Sequence, residues 1–119
     1  ALRNAATKAP DNGSSKAAIA AGVAADQIER ATDMYRAAAA SDRYEPYLDG
    51  YGFYKAGETI FLEAEAAIAA DDLEAAARIR EALALLSAAY PTATRPEALN
   101  ADQSALTVAS SKVILAVRN

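Results

Sequence analysis

Large apolar residues recur along most of this chain at the three- and four-residue spacing of a helix, and never in a sustained two-residue alternation. Residues 16–40 carry Ile19, Val23, Ile28, Met34 and Tyr35, and predict a first helix, weakest at Gly22. Before it, Pro10, Asp11, Asn12, Gly13, Ser14 and Ser15 favour turns and caps. They predict an arm or linker over residues 1–15, with an N-cap at Ser14 or Ser15. Ser41-Asp42-Arg43 forms a break, and Pro46 sits where a helix's first turn tolerates proline.

A second helix is expected from there to about residue 70. Gly50, Gly52 and Gly57 weaken it, each by about 1 kcal/mol relative to alanine. A bend, a break within 49–57 or the close approach of another backbone would each account for them. Asp71 is the expected N-cap of a third helix over 73–90, with Glu74 in its first turn, where negative charge is favoured. Pro91 ends it, and two prolines hold 91–96 extended. Asn100 or Asp102 caps a fourth helix over 101–117. Its stripe is Leu106, Ala109, Val113 and Val117, with Ile114 and Leu115 beside it. The expected fold is all-α: an antiparallel up-down four-helix bundle over 16–119, as one domain after the N-terminal arm.

Composition narrows the chemistry. Hydrophobic residues make up 53% of the chain, but many are alanine, so the core rests on few large side chains. The net charge is −4, and the four lysines and eight arginines are scattered, so no basic stripe for nucleic acid is visible. No apolar run reaches the roughly 20 residues of a membrane helix. There is neither cysteine nor histidine. That removes thiol nucleophiles, Cys/His zinc sites and histidine general bases. No signal-peptide pattern is seen, and the opening Ala-Leu-Arg reads as a processed or trimmed product.

The second helix carries the densest pattern. Tyr44, Tyr51, Glu58 and Glu65 fall seven apart, and Tyr47, Tyr54, Phe61 and Ile68 take the complementary positions of a heptad. Three readings stay open. The stripe packs the interior, with phenol hydroxyls at a wet edge and Glu58 and Glu65 at its margin, paired with Arg78 or Arg80. Alternatively, Glu58 or Glu65 joins Asp26 or Asp33 from the first helix in an oxygen-ligand site. The Glu-x-x-His pattern of di-iron bundles is excluded by the missing histidine. In the third reading the tyrosines, beside Gly50, Gly52 and Gly57, form an aromatic surface for a protein partner. The candidate ligand- or partner-binding residues are thus Tyr44, Tyr47, Tyr51, Tyr54, Glu58 and Glu65. Ser110-Ser111-Lys112, Gly50-Tyr51-Gly52 and Asp71-Asp72-Leu73-Glu74 lack the surroundings that serine–lysine catalysis, a phosphate loop or a cation site require. Neither a catalytic residue nor a cofactor is expected.

The C-terminal half, with Asp71-Asp72-Leu-Glu-Ala-Ala-Ala-Arg, Leu85-Leu-Ser-Ala-Ala-Tyr-Pro-Thr, Arg95-Pro96 and Val108-Ala-Ser-Ser-Lys-Val-Ile-Leu-Ala, resembles the C-terminal end of imelysin-type proteins. That resemblance spans about 50 residues. It implies a helical bundle of the bacterial envelope, exported to the periplasm, in a family that includes a component of ferrous-iron uptake. The family's His-x-x-Glu metal motif has no counterpart here. The resemblance therefore implies a location and a transport or assembly setting. The functional expectation is a non-enzymatic binding or assembly module, the alternative a metal- or small-molecule-handling protein using carboxylates inside the bundle.

Overall fold

A computed structural model describes residues 13–118, as four helices: α1 (Gly13–Ala39), α2 (Glu45–Asp71), α3 (Leu73–Ala89) and α4 (Gln103–Arg118). The expected arm lies, through residue 12, outside the described residues. The backbone is already helical at Gly13, so Ser14 and Ser15 are positions within the helix and not its N-cap position.

The helices run up and down. Glu65 meets Arg80 across the α2–α3 turn, Gly50 and Gly57 face Met34 and Gln27 across α1–α2, and Arg36 of α1 bonds Thr107 of α4. Each helix touches its two neighbours. α1 also touches α3 across the short diagonal, whereas α2 and α4 do not meet. Alanine sets this cross-section. Ala17, Ala21, Ala24, Ala25, Ala31 and Ala38 turn α1's smallest side chains inward, alongside Ile28 and Tyr35. Small side chains let helix axes approach closely, which gives α1 and α2 their extensive contact. Two residues of the expected first-helix stripe are displaced in consequence: Ile19 is 66% exposed, and Val23 also faces outward. The phase of α1 follows the alanines, which let α1 pack closely against the tyrosine-bearing face of α2.

α2 is unbroken through its glycines. At its end Asp72 serves two helices. Its backbone N–H donates to Ile68 O at 2.7 Å, and its Oδ1 accepts from Ala75 N at 3.0 Å. The N-cap of α3 is therefore Asp72, one residue later than expected, since only there is the backbone extended. Asp102 caps α4 in the same way, accepting from Ala105 N at 3.1 Å.

Between α3 and α4 the chain crosses the open end of the bundle as a strap, residues 90–102. It is held by side chains aimed at orphan backbone groups. The Arg95 guanidinium donates to Ala38 O at 3.0 Å, Arg43 O at 3.1 Å and Ser41 O at 2.8 Å. These carbonyls lie at and just past the C-terminus of α1, where helix acceptors lack partners and the dipole favours a cation. Arg95→Ala should cost about 2 kcal/mol in denaturant unfolding. Arg95→Lys should recover less than half of it, because a single ammonium nitrogen cannot reach all three carbonyls that the two guanidinium Nη atoms share. Equal stability of Arg95→Ala and the parent would show that the strap is held without it.

Candidate functional site

The heptad of α2 divides by its two halves. Tyr47, Tyr54, Phe61 and Ile68 are all buried and form the seam that faces the other helices. Tyr44 is 48% exposed, Tyr51 is half-buried, and Glu58 and Glu65 lie at the margin. A single helix face spans only part of the circumference, so the second set falls at the edge of the groove.

The buried rings converge on Tyr90, the residue that ends α3. Tyr90 meets Tyr35 edge-on at 5.5 Å, tilts against Tyr47 at 5.1 Å and stacks with Tyr54 at 6.2 Å. Each hydroxyl reaches a defined partner. Tyr90 Oη donates to Ala31 O at 2.7 Å, Tyr47 Oη donates to Thr92 O at 2.5 Å, and Tyr35 Oη accepts from Ala101 N at 2.9 Å. Three phenols thus tie α1, α2 and the strap together. Gly50 makes the cluster possible, since a Cβ there would lie 2.6 Å from Tyr90 Cζ.

Burial pushes the Tyr90 phenol far above its ordinary value, and Tyr47 shifts upward for the same reason, partly offset by its bond to Thr92. A raised folded-state pKa holds the proton more tightly in the folded chain. Its stability is therefore fully present below the unfolded phenol value of 10.0 and is lost as pH rises beyond it. The fold should loosen in alkali above pH ~10, and the share of phenolate absorbance that Tyr90→Phe removes should rise together with the loss of helical circular dichroism. Tyr90→Phe should lose stability less steeply over that range. If the phenolate absorbance that Tyr90→Phe removes ran ahead of unfolding, the enclosure of this ring would be contradicted.

The candidate carboxylates are already engaged. Glu58 accepts from Lys55 Nζ at 2.7 Å and from Tyr54 Oη at 3.1 Å. The Lys55 bond holds its carboxyl below the usual range, against some opposition from burial. Glu65 Oε2 accepts from Arg80 Nε at 3.0 Å and Nη2 at 2.7 Å, the marginal pairing expected of it. Asp26 and Asp33 pair with Arg30 and Arg36 on the outer side of α1. Among the described residues no group of three or more acidic side chains is placed to hold a metal ion.

A second surface, unmarked by the sequence periodicity, lies on the opposite pair of helices. Between α3 and α4 runs an open groove of about 490 Å³, floored by Ala84, Ala105 and Ala109. Leu85 (36% exposed) and Val108 (52%) flank it, with Glu81 on one wall and Lys112 on the other. Leu115, one heptad beyond Val108, is 66% exposed. Because Leu106, Ala109 and Val113 already face the core, α4 is apolar on two sides. Of the serine–lysine run, Ser110 is buried and Lys112 lines the groove. The available signal was Leu115 itself, which falls outside the Leu106–Val113 stripe.

No helix among the described residues is long and apolar enough to cross a membrane. No protein-family model, curated protein or solved structure matches this chain.

Proposed function

We propose that this chain is a non-catalytic binding module whose α3–α4 groove receives an amphipathic helix of a protein partner. The observation that carries the reading is the second apolar side of α4. A helix in a monomeric bundle needs one buried stripe, and α4 has Val108 and Leu115, seven residues apart, on another face. Seven-residue spacing is that of a helix–helix seam. Small residues in the groove admit a close helix, and Glu81, Asp102 and Lys112 supply a polar rim carrying both charges, the anatomy of helix-in-groove recognition. The resemblance of the C-terminal half to imelysin-type proteins supports a periplasmic or otherwise exported setting for this role. Tyr44 is the exposed member of the tyrosine set and remains available to a partner, whereas Tyr47 and Tyr54 serve the interior.

The test is a photo-crosslinking amino acid placed at Val108, with the same group at Asp33 on exposed α1 as control. In an extract of the source cells, a discrete adduct with another protein should form from position 108 and not from 33. It should vanish when Leu115→Glu is added, with the melting temperature unchanged. Adducts from both positions, or from neither, would dismiss the groove as a binding surface. An adduct of twice the chain's mass would assign the groove to a second copy and overturn the reading of a distinct partner.

A further inference from the structure

A separate hollow of about 380 Å³ lies under the strap, beside Tyr35. It is bounded by Ala88, Ala89, Pro91, Pro96 and Leu99, with Tyr35 as its buried wall. We infer that this hollow is a binding site for a small, neutral, apolar molecule bearing one carbonyl oxygen, which accepts a hydrogen bond from the Tyr35 hydroxyl.

Four observations converge on this. The volume falls within the roughly 300–1,000 Å³ typical of small-molecule sites. Apart from the Asn100 amide and the Tyr35 hydroxyl the lining side chains are apolar, and the walls are stiff. Two prolines restrict the strap, and Arg95 and the Tyr47–Thr92 bond anchor it to α1 and α2, so the hollow exists before any ligand arrives. Tyr35 is 1% exposed, and its oxygen accepts from Ala101 N, but the hydroxyl hydrogen has no acceptor among the described residues. A phenol offers one donor as well as acceptor lone pairs, and a buried donor without a partner is costly. An oxygen seated in the hollow removes that deficit. Charge selects the ligand further, because no ionisable side chain other than the Tyr35 phenol lines the hollow and Arg95 is committed to three backbone carbonyls. A carboxylate or ammonium would be desolvated there without compensation.

The site is independent of the α3–α4 groove, and its test does not involve that surface. Acetophenone is titrated into the full-length protein and followed by amide chemical shifts. Ethylbenzene, of similar shape without the oxygen, is the comparison. The expected result is saturable shifts confined to Tyr35 and residues 88–101, led by the Ala101 amide, with acetophenone binding about tenfold tighter than ethylbenzene. Tyr35→Phe should bring the two probes to equal affinity. Ala88→Leu, which grows into the hollow from an exposed position, should abolish both. Should Tyr35→Phe fail to fold for want of the Ala101 acceptor, the probe pair on the parent and Ala88→Leu still decide. Shifts that never saturate, that scatter over the surface, or that are matched by ethylbenzene would overturn the assignment.

Discussion

Gly50→Ala should destabilise the protein by about 3 kcal/mol, lowering its melting temperature by roughly 15 °C. Helix propensity alone argues the other way, since alanine is favoured over glycine by about 1 kcal/mol in a helix interior. Sterics decide the sign. The added methyl would lie 2.6 Å from Tyr90 Cζ, closer still to its hydroxyl oxygen, and 2.9 Å from Met34 Cβ. Tyr90 cannot swing aside, because three other rings and the bond to Ala31 enclose it. Gly52, two residues on in the same helix, has nothing within 4 Å of the corresponding point. Gly52→Ala should therefore raise stability by about 1 kcal/mol. Thermal unfolding of the two variants side by side is a direct measurement. Similar effects of the same sign would show that the close packing of Tyr90 on α2 does not exist in solution.

Tyr90→Ala should cost about 4 kcal/mol, the range for emptying a buried aromatic site. The ring is the common neighbour of Tyr35, Tyr47 and Tyr54, so its loss leaves a void that stiff helices cannot close. Tyr90→Phe keeps the packing and removes only the hydrogen bond to Ala31 O, a loss of about 1 kcal/mol. The two predictions also test each other. On the Tyr90→Ala background only the contact with Met34 Cβ remains, and the Gly50→Ala penalty should fall by more than half. The double-mutant cycle should then show a coupling of about 2 kcal/mol. Strict additivity would mean that each substitution acts somewhere other than at this contact.

The proposed partner surface and the strap hollow were differently visible. The α2 heptad was legible, and its Tyr47–Tyr54–Phe61–Ile68 half is the buried seam. The marginal role of Glu65 was also legible, because a carboxylate seven residues along a seam edge needs a cation from the next helix, and Arg80 is there. Tyr90 carried no such mark. Next to Pro91 it looks like a helix end, and only the meeting of α3 with α1 and α2 makes it the hub of four rings. Arg95 was equally silent, since the carbonyls it caps lie more than 50 residues earlier in the chain. The groove is not legible in the sequence, because the periodicity of α4 marks one stripe, Leu106, Ala109 and Val113, and Leu115 falls beside it.

Periodicity, prolines and capping residues were sufficient for the number of helices, their order and the all-α class, since each depends on short-range backbone energetics. They also marked the heptad stripe of α2, but three readings of it stayed open until burial placed Tyr47, Tyr54, Phe61 and Ile68 in the interior. Folding in three dimensions alone chose the phase of α1, where alanines displaced Ile19 and Val23 from the interior. It alone placed Tyr90 against Gly50, spent Glu58 and Glu65 on Lys55 and Arg80, and left Val108 and Leu115 outside. Those outcomes depend on how closely neighbouring axes approach, and that distance is a property of two helices at once, which no pattern within one of them records.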